Sequence, residues 1–364
     1  MKITRLKLKN FRNYDYADVE PNGNINFVVG RNAQGKTNLV EPIYIISTLK
    51  SFRNSKLIDC IKEDCEFAEI EAQVLSRKEG SKKIKYIIKK EGENEFYVND
   101  NKIIHKRDMF SHFYSVVFSP DELKLVKGSP DVRREFLDID ICQVSKIYSD
   151  LIDRYDKILQ NRNKLLKFGK NSKSLHIELD VWDEQLSLVG SQIAKARANF
   201  VTKISSNAKK VMEKISCGKE ILEIEYIGIK GESREEKTEN FMKDLKLQRA
   251  KDIELGYTTV GIHRDDLKFF INGKEVKPYA SQGQQRSVVL ALKLAEMETI
   301  ESESEEPALI LDDVFSELDT TRQRLLVEYL SDKQVFITST NSKNLGQITY
   351  SKIRVKNAKI SIEN

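Results

Sequence analysis

Apolar and polar positions alternate along residues 2–9, KITRLKLK, as a half-exposed strand requires. Residues 14–20 predict a second strand, and Pro21-Asn22-Gly23-Asn24 carries turn chemistry. INFVV then reads as a buried strand. After Thr37 the stretch NLVEPIYIISTLKSF predicts a helix, with Pro42 in its first turns. Residues 66–118 predict β structure in EFAEIEAQVL, KKIKYIIKK, EFYVNDNKII and FYSVVFS, with VNDNK as a hairpin turn. From about Glu135 to Lys214 the period changes. Ile147, Leu151, Tyr155 and Ile158, then Leu186, Val189, Ile193, Ala196, Phe200 and Ile204, recur at helical steps. GKNSKS at 169–174 interrupts them. The pattern predicts two long helices folded back as a hairpin, each reaching roughly 40 Å, packed on the core rather than protruding as a coiled coil. Residues 220–230 return to β, 235–251 to helix, and 257–278 to β, with Asn272-Gly273 suited to a type I′ turn. From Ser281 the order is turn, helix, acidic loop ESESEE, strand, loop, helix and the strand QVFITST.

Strand and helix alternate at both ends of the chain, with the helical stretch between them. The two ends therefore predict one α/β domain interrupted by an insert. The expected divisions are an N-terminal part over 1–134, a mainly helical arm over 135–215 and a C-terminal part over 216–364.

The chain has 364 residues, 40% hydrophobic and 32% charged, with a net charge of +5. That length supports one large domain or a few modules with a real core, and the mild positive excess permits nucleic acid without announcing it. MKITRLKLKNFRNY is charged too often for a signal peptide. No apolar run approaches the roughly 18 residues that would span a bilayer. Cys60, Cys65, Cys142 and Cys217 fit no zinc pattern and no disulfide framework. These features predict a cytoplasmic protein with free thiols and no membrane association.

FVVGRNAQGKTNLV holds the sharpest chemistry. Gly30-Arg31-Asn32-Ala33-Gln34-Gly35-Lys36-Thr37 fits the phosphate loop G-x-x-x-x-G-K-[ST], after an apolar strand and before a helix. Backbone N–H groups of a tight glycine loop at a helix N-terminus form an anion cradle. Lys36 is expected to reach the β- and γ-phosphates of ATP, and the Thr37 hydroxyl to ligate Mg²⁺. The bland alternative is a glycine-rich strand–helix turn.

PALILDDVFSELD supplies a second part. The strand Ala308 to Leu311 delivers Asp312 and Asp313 at its C-terminal end, where ligands of parallel sheets bind. Asp312 is expected to hold Mg²⁺ and Asp313 to orient the attacking water. Paired carboxylates after four apolar residues are costly to bury without a cation. In YASQGQQRSVVLALKLAEME, Ser281, Gly283 and the following helix form a second small-residue cradle, although Ser281 read alone is an ordinary helix cap.

The order GRNAQGKT, SQGQQR, LILDD, SELD resembles the ABC-type ATPase heads of the SMC superfamily and, more closely, the RecF family of bacterial recombination mediators. ITRLKLKNFRNY, SPDELKLVKGSPDVRREFLD and DDVFSELD are similar to that family's opening, central and C-terminal signatures. GIHRDDL is similar to a further segment but places Ile262 where the family has proline.

The resemblance implies an α/β, ABC-type ATPase head with an inserted helical subdomain. It implies head-to-tail dimerisation around two ATP molecules. Gly30–Thr37 would serve in cis and Ser281, Gln282, Gly283 and Gln284 in trans, with Arg12 near the nucleotide and Asp319 at the seam. It also implies a weak, DNA-stimulated ATPase that binds single-stranded and duplex DNA without sequence specificity. Such a protein serves replication, recombinational repair and the SOS response, and works with RecR and, indirectly, RecO and RecA. The chain departs from transporter ATPases in having Asp313 rather than Glu at the base position, and Thr338 or Thr340 where a switch histidine stands.

Candidate DNA contacts are the lysines of KKIKYIIKK (82–90), with Arg133, Arg134, Lys164, Lys167, Lys170, Lys173, Lys209 and Lys210 near the arm. Nearby glutamates Glu178, Glu184 and Glu213 favour the alternative of solvated faces. HRDDL is polar and tight; its bland alternative is a surface turn leading into the hairpin, with His263 as a candidate core histidine. His105, His112 and His176 form no metal set. The rival readings are another SMC-like ATPase acting as a DNA scaffold, a transporter ATPase and a soluble phosphate-loop kinase.

Overall fold

The computed structural model describes residues 1–364 apart from 54, 170–171, 315–322, 324–325, 327–328, 331, 341–349 and 364. Lys170, Asp319 and the rest of the SELD signature lie outside the described residues. The chain divides into two units, Met1–Leu123 with Val289–Asn364, and Lys124–Val288.

Among the described residues the first unit holds two six-stranded sheets. One is antiparallel, in the order β2 (Tyr14–Val19), β1 (Lys2–Phe11), β4 (Phe67–Ser76), β5 (Gly80–Lys89), β6 (Glu95–Val98), β7 (Asn101–Ile103). β1 buries Ile3, Leu6, Leu8 and Phe11. The break in strict alternation between Ile3 and Leu6 coincides with a register shift against β4 at Ile3/Arg5, the extra residue of a bulge returning the apolar side chains to the core. The β6–β7 turn places Asn99 and Asp100 in the left-handed region, at φ 49° and 65°, as a type I′ hairpin needs.

The second sheet runs β15 (Lys359–Glu363), β14 (Ser351–Lys356), β3 (Ile25–Val29), β13 (Val335–Ser339), β12 (Ala308–Asp312), β8 (Ser115–Phe118). Its strands are parallel from β14 to β8, and only β15 is antiparallel. Every residue of β3, β12 and β8 is buried, as parallel strands covered on both faces should be. α1 (Lys36–Thr48) leaves β3 and packs against β8, β12 and β13. The C-terminal ends of β3, β12 and β13 therefore meet on one edge, where an α/β sheet binds its ligand.

The second unit begins within α2 (Leu123–Lys127) and continues through α3 (Pro130–Val144), α4 (Lys146–Phe168), α5 (Leu175–Ile215) and α6 (Arg234–Leu255). It adds the sheet β11 (Lys274–Glu275), β10 (Asp266–Ile271), β9 (Leu222–Ile227), the short α7 (Val276–Tyr279) and the start of α8 (Gln282–Glu303). The type I′ reading of Asn272-Gly273 agrees with φ values of 49° and 77°. α4 and α5 form the expected helical hairpin, but with unequal arms. α5 has 41 residues, about 60 Å, because α6 and β9 pack along it as well as α4. The unit extends past 135–215 at both ends for the same reason.

Two buried arginines tie its helices together. Arg162, with no exposed surface, donates to Asp183 at 2.7 Å, to Asp252 at 2.8 Å and to Thr258 at 2.8 Å. Arg197 donates to Asp138 at 2.8 Å, Asp265 at 2.7 Å and the Ile262 carbonyl at 2.7 Å. In the HRDD segment Arg264 is exposed, but Asp265 points inward. Asp265 is buried against Arg197 and the Tyr226 hydroxyl. Burial pushes its carboxyl up to about 6, with Arg197 and Tyr226 opposing. His263 is the core-satisfied histidine that was a candidate: the Tyr155 hydroxyl donates to Nδ1 at 3.0 Å and Nε2–H donates to the Thr258 carbonyl at 3.1 Å.

Arg162→Met would leave Asp183 and Asp252 without their shared buried partner, so the second unit should lose about 3–5 kcal/mol in denaturant unfolding. His263 is held down to about 4 from an ordinary 6.5, first by burial and then by Arg264 and Arg134, against the Thr258 carbonyl. The unfolded ring binds a proton that the folded one refuses. Its contribution is therefore full above pH 6.5 and shrinks as pH falls toward 4. Asp265, raised rather than lowered, works in the opposite direction below about 6. Hence the check is the difference in slope: His263→Gln should lose less stability between pH 6.5 and 4 than the parent chain.

Candidate nucleotide-binding site

β3 ends at Val29, Gly30 opens the loop, and the chain turns back into α1 at Lys36. A Cβ on Gly30 would lie 2.4 Å from the Val355 carbonyl oxygen of β14, so only glycine fits between the strands. Gly35 caps α1 at φ 105°, and its carbonyl accepts from the buried Tyr14 hydroxyl at 3.0 Å. No side chain caps α1, which leaves its first N–H groups to serve the loop. Lys36 is buried, and its Nζ donates to the Arg31 carbonyl across the loop at 3.2 Å. Above lies an open cleft of about 640 Å³ lined by Arg12, Asn13, Asn32, Lys36, Thr37 and Asp313, among others.

Beneath the cleft the loop is joined to the second motif. Thr37 Oγ1 donates to Asp312 Oδ1 at 2.9 Å, and Thr338 Oγ1 donates to the same oxygen at 2.8 Å. Asp313 N–H donates to Thr338 Oγ1 at 2.9 Å. Burial pushes the Asp312 carboxyl above its usual range, while Thr338 and Thr37 pull it back. Asp313 itself sits in the left-handed region at φ 55° and turns into the cleft. Of the two threonines, Thr338 is buried with its hydroxyl committed to the aspartates, whereas Thr340 is exposed and lines a different cleft.

Arg12 lines the nucleotide cleft, but its guanidinium is occupied. It donates to both oxygens of Glu41, at 2.9 and 2.5 Å, to Ser55 at 2.7 Å and to the Asp59 carbonyl at 2.8 Å. Glu41 is fully buried on α1 and also accepts from Ser51 at 2.5 Å. Sequence reading missed Glu41, Asn13 and Tyr14. The available signal was a lone carboxylate inside the apolar run NLVEPIYII, which a helix buries only with a cation beside it.

Ser281, Gln282, Gly283 and Gln284 belong to the second unit, with the first three exposed. Ser281 accepts from Gln284 N–H at 3.2 Å, and Gln284 Oε1 accepts from Ser281 N–H at 2.9 Å. This reciprocal pair is a capping box on α8. The lysines expected on the 82–90 hairpin are largely neutralised locally. Lys82 pairs with Glu79, Lys83 with Asp100 and Lys89 with Glu95, at 2.8, 2.5 and 3.0 Å. Arg133 is buried against Asp266. Among the described residues no helix is long and apolar enough to cross a membrane.

Comparison with known proteins agrees with this geometry. The family model described as the RecF/RecN/SMC N terminal domain matches residues 2–362. The DNA replication and repair protein RecF of Alkaliphilus oremlandii is 40% identical over 350 residues, 95% of each chain. That of Clostridium acetobutylicum is 41% identical over 343 residues, 93% of each. A solved structure of the recombination mediator RecF with ATP, of the RecFOR pathway, superposes with a TM-score of 0.93 at 34% identity, over 100% of this chain and 97% of that one. The Smc head domain of Pyrococcus furiosus shares the fold, with a TM-score of 0.56 at 15% identity over 99% of this chain and 95% of that one. The architecture is that of an α/β, ABC-type ATPase head, and the chain belongs to the RecF family of DNA replication and repair proteins.

Proposed function

We propose that the chain is an ATP-operated DNA clamp acting in the cytoplasm at single-strand gaps and duplex junctions. The observation that carries this reading is the hydrogen bond from Thr37 to Asp312 beneath an uncapped helix N-terminus. A hydroxyl and a carboxylate at the base of a phosphate cradle are the donor set a hard cation takes. Both protein ligands are oxygen, the carboxylate is buried, and its raised affinity for a proton marks a site that gains from positive charge. Thr37 and Asp312 would hold Mg²⁺, which would supply positive charge against the phosphates of ATP. Mg²⁺ usually keeps several waters and needs few protein ligands.

In this reading the loop amides from Gly30 to Thr37 bind the phosphates of ATP, and Lys36 exchanges its bond to the Arg31 carbonyl for one to the β- and γ-phosphates. Arg12, braced by Glu41, shapes the cleft wall. Asp313 orients the attacking water. Aspartate is one methylene shorter than glutamate, and threonine in place of a switch histidine brings no positive charge, so turnover is slow. Ser281, Gln282, Gly283 and Gln284 of a second copy close on the γ-phosphate, the serine hydroxyl leaving its own capping box to do so. Bound ATP thus holds a dimer that grips DNA without reading its sequence, and loss of the γ-phosphate releases it. In that state the protein works with RecR, and through RecO, to place RecA on gapped DNA.

Lys36→Ala should abolish both ATP-dependent dimerisation and ATP-dependent DNA retention, measured by sedimentation and by filter or anisotropy binding. Retention of DNA by Lys36→Ala as in the parent would instead support a scaffold with an idle nucleotide site. Asp313→Asn should lower phosphate release by about 100-fold or more while the ATP-bound dimer persists; a monomer with ATP would contradict the assignment of Asp313.

A further inference from the structure

The Ser281–Gln284 turn of the second unit is fastened to one carboxylate. Gln284 Nε2 donates to Glu220 Oε1 at 2.9 Å, and both residues are half-buried. A carboxylate only accepts, so the NH₂ end of the Gln284 amide faces Glu220. The carbonyl end of the same amide is thereby turned to Ser281, whose N–H donates to Gln284 Oε1 at 2.9 Å. One half of the capping box on α8 thus takes its polarity from a residue 64 positions away in the chain.

Glu220 is itself held on both sides. It follows α5, where Cys217 and Gly218 turn the chain through the left-handed region at φ 53° and 77°. Glu220 N–H donates to Ser216 Oγ at 3.0 Å. Asn272, in the β10–β11 turn, grips the two flanking residues. Its Nδ2 donates to the Lys219 carbonyl at 3.1 Å, and its Oδ1 accepts from Ile221 N–H at 2.9 Å. Asn272 N–H donates in turn to the Ile221 carbonyl at 3.0 Å. The end of α5 and the Asn-Gly hairpin therefore fix the backbone that carries the carboxylate. From that hairpin the chain runs through α7 to Ala280, whose carbonyl accepts from Gln285 Nε2 at 3.1 Å.

We propose that Glu220 is a positioning residue for the half of the ATP site that a second copy supplies. The inference rests on the two-copy reading given above and names what keeps the Ser281 turn in shape for it. When the Ser281 hydroxyl turns to a γ-phosphate, the 3.2 Å bond it accepts from Gln284 N–H opens. The other bond of the box, from Ser281 N–H to Gln284 Oε1, stays closed and then holds the turn by itself. That bond needs an amide that does not rotate, and Glu220 supplies the restraint. Without the carboxylate the amide swings into water. The exposed stretch from Ser281 to Gly283 then loses its shape at the step where it must meet a partner's nucleotide. Glu220 acts only through Gln284 and touches no phosphate itself.

The test uses the full chain at saturating ATP, with dimerisation followed by sedimentation and phosphate release followed against protein concentration. Glu220→Ala should weaken ATP-dependent dimerisation roughly tenfold, a loss of about threefold at each of the two turns in a dimer. Half-maximal phosphate release should need about tenfold more protein, while the rate at saturating protein stays within about twofold. That saturated rate also reports that both units are folded. Glu220→Gln keeps an acceptor opposite Gln284 Nε2 and should stay within about twofold of the parent. Glu220→Lys sets donor against donor and should weaken dimerisation at least as far as alanine does. ATP affinity of the monomer, measured at protein concentrations too low for dimers, should be unchanged in all three. In a Gln284→Ala background, Glu220→Ala should add no further loss. Dimerisation of Glu220→Ala equal to the parent's, or tighter, would overturn the proposal. So would a parallel fall in monomer ATP affinity, a loss confined to the saturated rate, or full additivity with Gln284→Ala. A parent chain that stays monomeric with ATP would instead refute the two-copy reading itself.

Discussion

A single buried carboxylate oxygen joins the parts of the nucleotide site. Asp312 Oδ1 accepts from Thr37 at the start of α1 and from Thr338 on β13. Three separate stretches of chain, from Thr37 to Thr338 at their extremes, are thereby pinned to one point. Such a carboxylate is expensive to bury, and two hydroxyl donors with a backbone-anchored neighbour make the cost tolerable. They also hold the oxygen at the base of the loop, where a cation between protein and phosphate belongs.

The parallel sheet makes that convergence possible. β3, β12 and β13 run the same way, so the loop after the first, the aspartates at the end of the second and Thr338 near the end of the third fall on one edge. Full burial of β3 and β12 fixes their apolar faces and leaves the chemistry to the strand ends. Pressure on the loop comes from outside as well. Val355 of β14 fills the space beside Gly30, and the following turn bonds to Gln34. The loop is therefore a braced element held between α1 and the C-terminal hairpin.

The second unit is organised by charge as much as by apolar packing. Arg162 and Arg197 lie inside it with carboxylates from several helices and loops. Pairs of this kind add little net stability, yet they penalise any packing that separates their members. They bind α4, α5 and α6 to the loops that follow, so that the long α5 has partners along its length.

Local pattern and spacing in the sequence were sufficient for the elements and for the phosphate loop. Alternation in KITRLKLK, the helical period from Ile147 to Ile204, the Asn-Gly hairpin and the glycine spacing of GRNAQGKT all depend on neighbours a few residues away, and a linear reading captures those. Partnerships between distant residues could not be read in the same way. Nothing near Glu41 announces that Arg12 will fill its buried site, and nothing in HRDDL shows that Asp265 will lie against Arg197 rather than in water. The commitment of Thr338 to Asp312, the self-neutralised lysines of β5 and the bracing of Gln34 by the C-terminal turn share that origin. Each arises because strand register and helix packing bring together groups that are far apart in the chain, and burial then dictates which of them must pair.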